Sequence, residues 1–282
     1  MSMYSRAYKS AVTFPPVAWV TLFLLCAYVI LFAHSFWSVR DGQIVRDFTL
    51  GNYKQIASSP LYLQVLFRSM KIAGAVTLFA LLLGYPVAYY LSFNSRHKNL
   101  LFQLVIVPLW VSYLVRAYAW KTILGSDGVL NTSLQFLHIT HEPVSALLYS
   151  PFAVVLTLTH IYTPFAFLPI FASLEHIPRN LIEASHDLGA TPLQTFCRVI
   201  LPLSLPGVIA GATFAFVLSL GDFLAPILVG GPSGIMISNI VVSLFGAAYD
   251  WPLGAAISLC MLILVVGLLF ATERLEKRFS YQ

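Results

Sequence analysis

Long apolar runs alternate with short polar segments along this chain. Each run has roughly the 20 residues that an α-helix needs to cross the hydrocarbon core of a bilayer. The runs occupy residues 14–37, 72–93, 100–120, 149–174, 203–229 and 253–272. Because the bilayer core offers no water to satisfy backbone groups, such runs are expected to be helical. The pattern therefore predicts an all-α, polytopic membrane protein with six transmembrane helices.

The polar segments divide the predicted protein into three parts. Residues 1–66 hold the first transmembrane helix and an outer loop over 38–66, and residues 67–272 hold the other spans, with two cytoplasmic helices at 178–201. Residues 273–282 form a cytoplasmic tail. The Gly-Gly-Pro-Ser-Gly sequence at 230–234 marks a sharp break. Residues 235–248 are apolar but too short to span, so we expect a re-entrant or interfacial helix there.

The composition supports a membrane protein. Hydrophobic residues make up 59% of the chain and charged residues 10%, whereas soluble domains average about 25% charged residues. The net charge is +5, but the basic residues lie between the apolar runs and do not form one polar face, which argues against nucleic-acid binding. Arg6, Lys9, Lys277 and Arg278 flank the two ends, so the positive-inside rule predicts that both termini are cytoplasmic.

Sequence motifs for catalysis and for metal binding are missing from the chain. The three cysteines, Cys26, Cys197 and Cys260, are far apart and fit neither a disulfide framework nor a zinc site. Lysine never follows glycine, so the phosphate-binding Gly-x4-Gly-Lys motif is absent, and no Gly-x-Ser-x-Gly motif occurs. We therefore expect no catalytic residue, no metal and no nucleotide on this chain.

One polar segment between the fourth and fifth apolar runs predicts a helix, a tight turn and a second helix. The first helix places apolar or small residues on one face and polar residues on the other; the two sets are Leu181, Ala184, Ser185 and Leu188, and Glu183, His186 and Asp187. Gly189 suits a left-handed C-terminal cap. Thr191, Pro192 and Gln194 match a capping box with proline at the first helical position. Either this rigid pair contacts a partner in the cytoplasm, or it packs passively at the inner membrane surface.

The same residues resemble the signature of permease subunits of binding-protein-dependent ABC importers. That signature reads Glu-Ala-Ala-x3-Gly-x9-Ile-x-Leu-Pro, and the spacing matches throughout. The chain has Ser185 in place of the second alanine and Val199 in place of isoleucine. The resemblance implies a five-helix, MetI-like permease core and a coupling helix that docks on a separate ATPase. It assigns this coupling role to Glu183, Ala184, Ser185, Asp187, Gly189, Thr191, Pro192, Leu201 and Pro202.

Other stretches resemble the polyamine branch of this family. They lie at 114–120, 128–131, 221–223, 230–232 and 250–256, and are most similar to the first permease subunit of spermidine/putrescine importers. Related opine, aminophosphonate and iron importers share parts of them, so these cargoes stay open. The resemblance implies an inner-membrane location, a second homologous permease, an extracytoplasmic solute-binding protein and an ATPase dimer that carries ATP and Mg²⁺.

A polyamine cargo would need a cation-binding path through the membrane. Asp222 lies deep in the fifth predicted span, where a carboxylate is costly and is therefore a functional candidate. Trp110, Tyr113, Arg116 and Tyr118 cluster near the outer end of the third predicted span, and aromatic faces attract ammonium groups. Alternatively, Asp222 has a structural partner, through a hydrogen bond to a neighbouring span or a pair with a basic residue such as Arg116, and the aromatic residues form an interfacial belt.

A competing class is an ATP-independent secondary transporter. Such transporters often contain inverted repeats and membrane-embedded charges. No half-to-half symmetry is evident in the sequence, which favours the importer. A membrane scaffold is a third class, but it would not need prolines within several spans or a rigid cytoplasmic helix pair.

Overall fold

The computed structural model describes residues 2–144 and 147–280, with side chains over 12–144 and 147–274. The first part contains α1 (Ser2–Ser35), β1 (Ser38–Arg40), β2 (Gln43–Val45), α2 (Gly51–Ser58), α3 (Pro60–Phe93), α4 (Lys98–Trp110), α5 (Tyr113–Leu124) and α6 (Val129–Phe136). The second contains α7 (Pro151–Glu175), α8 (Arg179–Asp187), α9 (Pro192–Thr195), α10 (Leu201–Gly221), α11 (Ile237–Phe245) and α12 (Trp251–Ser280). The predicted all-α class is confirmed. The described residues depart from it at one antiparallel hairpin, in which Ser38 pairs with Val45.

Five helices among the described residues are long and apolar enough to cross a membrane. They are Val12–Ser35, Pro60–Phe93, Pro151–Glu175, Pro192–Gly221 and Trp251–Arg274. The third predicted span, residues 100–120, is not one helix, because Lys98–Trp110 and Tyr113–Phe136 meet at a bend of 92°. Val111 and Ser112 have extended backbone at the bend, and Pro108 lacks the N–H that would continue the hydrogen-bond ladder. The chain thus leaves the helix at Val111 and Ser112, inside an apolar run that the hydropathy pattern predicted to be one continuous span.

Two further boundaries differ from the prediction. The predicted outer loop over 38–66 contains the hairpin and α2, and α3 already begins at Pro60. Helix α10 ends at Gly221 instead of continuing to residue 229, and Asp222 adopts extended backbone after it. A short turn of π-helix, Pro226–Gly230, follows. Asp222 therefore lies just beyond the end of a span and not inside it. The predicted short helix within 235–248 is present as α11.

The chain forms two compact units. One unit reaches to Pro60 and includes Val241–Ile263, and the other contains Leu61–Ile240 and the segment from Leu264 onwards. The basic side chains that we used to orient the termini, those of Arg6, Lys9, Lys277 and Arg278, lie outside the described residues.

The second unit is built around the seam between α7 and α10. Gly207 and Gly211 of α10 lie directly against the backbone of α7, so closely that an added Cβ would be 2.5 Å from the carbonyl oxygen of Pro169 and 2.6 Å from that of Ala166, respectively. Small residues allow membrane helices to approach in this way. Because α10 is continuous with α9, this seam connects the predicted cytoplasmic pair to the interior of the permease.

Candidate functional site

The turn between α8 and α9 has the predicted geometry. Gly189 has φ of +79° and open space around its Cα, as expected for a left-handed helix cap. The amide of Gly189 donates to the carbonyl of His186 at 2.8 Å, and the amide of Ala190 donates to that of Ser185 at 3.1 Å. These bonds satisfy carbonyls that the end of α8 would otherwise leave free. The turn is therefore a defined cap and not a flexible tether.

The second helix begins with the predicted capping box. The Thr191 hydroxyl accepts the amide of Gln194 at 3.3 Å, and the Thr191 amide donates to the Gln194 side chain at 2.9 Å. Pro192 occupies the start of the helix. The chain then continues without a break from Pro192 to Gly221. Leu201 and Pro202 therefore lie within one continuous helix, the α9–α10 rod, that runs from the turn after Gly189 to Gly221.

Contacts with the rest of the second unit hold α8 in place. Ile182 packs on the core cluster that contains Ile170, Leu174 and Ile200. The hydroxyl of Ser185 is 2.7 Å from that of Thr195, which is buried. Ser185, one of the two departures from the family signature, thus joins α8 to the base of the α9–α10 rod.

The opposite side of the pair is exposed. Leu188 and Leu193 have 88% and 72% of their surface accessible, and Leu181 is also exposed. Three members of the predicted apolar face of α8, Leu181, Ala184 and Leu188, are therefore turned away from the chain, while the fourth, Ser185, faces inward beside Ile182. In the second helix Leu193 is exposed, whereas Phe196 packs on the core. Glu183, Ala184 and Asp187, which carry the predicted coupling role, are exposed as well.

Asp222 forms the centre of a second polar cluster. It is 7% exposed. One carboxylate oxygen accepts hydrogen bonds from the hydroxyls of Tyr113 and, at 2.6 Å, Tyr162. The other accepts the amide of Ala225 at 3.0 Å, and the Ser238 hydroxyl donates to the Asp222 carbonyl. Asp222 thus contacts α5 and α7 through its carboxylate, and α11 through its backbone carbonyl, at the point where α10 ends.

The other predicted pathway residues separate. Trp110 is 85% exposed and Tyr118 is also exposed, so neither contributes to the Asp222 cluster. Arg116 lies one turn after Tyr113 and donates to the carbonyl of Ile161 at 3.4 Å. Within the described residues no ion pair joins Arg116 to Asp222. The carboxylate is therefore partnered by the hydroxyls of Tyr113 and Tyr162 and not by Arg116.

A cavity of about 380 Å³ opens beside this cluster. It is lined by Tyr113, Tyr162 and Asp222 together with apolar residues, among them Val217, Leu218 and Leu224. One carboxylate and two tyrosine side chains at an otherwise apolar wall form a surface suited to a small cation. Within the described residues no group of three acidic, histidine or cysteine side chains could hold a metal ion.

The sequence did not single out Tyr162 or Ser238. Tyr162 lies in the fourth apolar run, just before Thr163 and Pro164. A buried tyrosine needs a partner for its hydroxyl, so its place within a span was a usable signal. Nothing in the local sequence indicated that its partner would be Asp222, which is 60 residues further along the chain.

Comparisons with known proteins agree with these features. The sequence profile of the family described as "Binding-protein-dependent transport system inner membrane component" matches residues 77–281. The spermidine/putrescine transport system permease protein PotB of Salmonella typhimurium SL1344 is 35% identical over 280 residues, covering 97% of this chain and 96% of the relative. PotB of Escherichia coli K12 is 38% identical over 255 residues, covering 90% and 92%.

Solved structures support the same fold. A chain of a bacterial alginate ABC transporter, in complex with alginate pentasaccharide-bound periplasmic protein, superposes with a TM-score of 0.77. The two chains are 16% identical, and the match covers 99% of this chain and 98% of the other. The permease fold predicted from the spans and from the Glu183–Pro202 motif is therefore confirmed, and the chain belongs to the family of inner membrane components of binding-protein-dependent transport systems.

Proposed function

We propose that this permease is half of the translocation path of an ATP-driven polyamine importer in the bacterial inner membrane. The other half is a second, homologous permease, and an extracytoplasmic solute-binding protein delivers the cargo. A dimer of separate ATPase subunits binds ATP and Mg²⁺ and drives the cycle. Both termini lie in the cytoplasm. Family membership favours this scheme over an ATP-independent secondary transporter, because the family depends on binding proteins.

The exposed surface of α8 and α9 carries the ATPase part of the proposal. Leu181, Leu188 and Leu193 are accessible on a helix pair that is capped at its turn and fixed on its other side. Exposed leucines on a rigid helix are the features that bind in a hydrophobic groove of a partner. Movement of that partner would be carried along the continuous rod from Pro192 to Gly221 into the membrane.

Alternating access follows from this geometry. When the ATPases close on ATP, they displace α8 and α9, and the rod moves with them because its helix is continuous from Pro192 to Gly221, through the π-helical turn Phe196–Ile200. The seam between α7 and α10 then shifts the wall of the cavity at Asp222 relative to the partner permease. The transporter thereby changes between inward-open and outward-open states, with ATP biasing the equilibrium from a remote site.

The cavity at Asp222 supports a cationic cargo. The carboxylate is already occupied by Tyr113, Tyr162 and a backbone amide, so a cargo ammonium would first meet the tyrosine oxygens. A hydroxyl that donates to a carboxylate becomes a better acceptor itself, because hydrogen bonds in a chain polarise each other. Asp222 would therefore act on the cargo through the tyrosines while it holds them in place.

Leu188→Glu tests the coupling surface. The exposure of Leu188 means that the change should not destabilise the permease, yet it would place a charge in an apolar groove of the ATPase. We expect a tagged L188E permease to recover much less ATPase on purification and to lose uptake. Leu137→Glu is the matched control, because Leu137 is also exposed and follows α6. Normal ATPase recovery and uptake by L188E would refute the docking surface.

Asp222→Asn and Tyr162→Phe test the cargo. If the cluster recognises ammonium groups, both variants should reduce uptake of spermidine and putrescine more than ATP hydrolysis by the assembled importer. Equal loss of both activities would assign the cluster a structural role. Identification of the ligand of the cognate binding protein decides between a polyamine and an opine, aminophosphonate or iron cargo.

A further inference from the structure

Residues 36–54, which we call the α1 cap, are fixed to the end of α1. The side-chain amide of Asn52 donates to the carbonyls of Ser35 and Trp37, at 2.9 Å in each case. The hydroxyl of Tyr53 donates to that of Ser35 at 2.8 Å. Carbonyls at the end of a helix lack partners within the helix, and the cap supplies partners for them. The cap therefore keeps a defined position relative to the first span.

Exposure alternates along one edge of the cap. Asp47 turns inward, where it accepts the Ser38 hydroxyl at 2.7 Å and pairs with Arg40 at 2.7 Å. Arg46 and Phe48, on either side of Asp47, are exposed, and so is Leu50. We call these three residues the interfacial strip. Phe48 is 84% exposed and Leu50 is 56% exposed. One cation followed by two large apolar side chains is an unfavourable arrangement for a surface in water.

Two observations place the strip at the depth of a membrane boundary. Phe48 stacks on Phe36 with ring centroids 4.6 Å apart, and Phe36 directly follows the last residue of α1. The stretch Val12–Ser35 of α1 is apolar and long enough to span, and no residue of its most apolar window is buried within this chain. Since α1 ends at the edge of the hydrocarbon core, a side chain stacked on its next residue lies at the same level.

The second observation comes from another span of the same unit. Trp251 begins α12, and its ring is 6.4 Å from that of His34 near the end of α1. Trp37 and Tyr249 lie beside this pair, with centroids 4.2 Å from His34 and 6.2 Å from Trp251, respectively. Tryptophan and tyrosine concentrate where spans leave the hydrocarbon core. Two span ends thus mark the same boundary, independently of the stacking of Phe48.

We propose that the interfacial strip is a membrane anchor, in which Phe48 and Leu50 insert among the lipid acyl chains and Arg46 lies among the headgroup phosphates. The guanidinium of Arg46 is held over the ring of Trp37, 5.3 Å from its centroid, which is the arrangement of a cation at an aromatic belt. Lipid is the expected occupant because the strip lies at the end of an apolar span, level with the tryptophan and tyrosine rings that mark the boundary. With cytoplasmic termini, the anchor lies in the outer leaflet. It would fix the height and rotation of α1.

Site-directed spin labelling of the assembled importer in phospholipid nanodiscs tests the anchor. Three permeases with a single cysteine are needed. One keeps Cys26, which is exposed on α1, as the lipid reference, and has Cys197 and Cys260 replaced by alanine. The other two lack all native cysteines and carry Phe48→Cys or Gln43→Cys. Gln43 is exposed on the hairpin of the same cap, so its label is the matched control for water.

The label at position 48 should collide with oxygen more often than with a water-soluble nickel chelate, as the label at Cys26 does. The label at position 43 should show the opposite preference. Preference for the nickel chelate at position 48 would overturn the anchor, and so would protection from both reagents, since that outcome means a protein partner covers the strip. Leu50→Cys repeats the measurement should Phe48→Cys fail to assemble. None of these outcomes depends on the cargo or on ATPase docking.

Discussion

The seam between α7 and α10 gives the sharpest quantitative prediction. We consider Gly211→Ala, the smallest change that adds a side chain at the seam. The new Cβ would lie 2.6 Å from the carbonyl oxygen of Ala166 and 3.3 Å from its carbonyl carbon. Ordinary van der Waals contact begins at 3.4 Å, so the two helices would have to separate by roughly 1 Å along this seam. Backbone atoms of a packed helix cannot turn aside as a flexible side chain can.

The size of the effect follows from two opposing terms. Overpacking a well-packed interior costs about 1–3 kcal/mol. Alanine favours a helix over glycine by about 1 kcal/mol, which offsets part of that cost. Gly74→Ala separates the two terms, because Gly74 lies inside α3 and its added Cβ would meet no atom within 4 Å. We therefore expect Gly211→Ala to be less stable than Gly74→Ala by about 1–3 kcal/mol, since both variants gain the same helix preference and only one is overpacked.

Thermal unfolding of the purified importer in nanodiscs measures this difference. The wild type and both variants are compared at the same lipid composition, and the midpoint for Gly211→Ala should be the lowest of the three. Gly207→Ala is a second test at the same seam, where the added Cβ would be 2.5 Å from the carbonyl oxygen of Pro169. If the seam variants unfold at the same temperature as Gly74→Ala, the close packing of α10 on α7 is not what stabilises this unit.

Three further predictions concern single contacts. Thr191→Ala should destabilise the start of α9 by about 1 kcal/mol and speed hydrogen exchange there, whereas Thr191→Ser should retain the cap. Asn131→Ala should leave the part-buried amide of Val144 without its partner and lower the stability by about 1–3 kcal/mol in the same thermal assay, whereas the carbonyl of Gly125 keeps its bond from the Gly128 amide. The hydrogen bond from Ser38 holds the pKa of Asp47 below its usual 3.8. The contact therefore stabilises the hairpin fully above pH 3.8, and this stabilisation is lost as the pH falls through the lower pKa that Asp47 has in the folded protein. A nitroxide label on the hairpin should accordingly become more mobile only in strong acid.

Local patterns predicted the cytoplasmic pair well. The left-handed Gly189 and the capping box of Thr191 depend on residues within a few positions of each other, so their geometry could be read directly from the sequence. Which side of α8 faces the protein could not, because Ile182 and Ser185 contact residues from α7 and from the α9–α10 rod. Helical periodicity shows which residues of α8 share a face, but it does not show which face packs against the rest of the protein.

Hydropathy predicted the spans less completely. A window average responds to composition, so it identified residues 100–120 as apolar and missed the bend at Val111 and Ser112. The same average extended the fifth predicted span beyond Gly221, although the helix ends at Gly221 and the backbone of Asp222 is extended. An average over composition cannot detect a helix end inside an apolar run, and at Asp222 that end is held by hydrogen bonds from Tyr113 and Tyr162 on other helices.

The sequence by itself determined that the chain forms long apolar helices and a helix pair capped at its turn, because burial in lipid and helix capping act on neighbouring residues, and its resemblance to the Glu-Ala-Ala motif indicated the permease family. Only the tertiary structure decided that Asp222 binds Tyr113 and Tyr162, that Trp110 and Tyr118 lie elsewhere, and that Leu188 is left exposed. These outcomes depend on how distant helices pack, and a hydrogen bond across 60 or 109 residues leaves no periodic trace in the sequence.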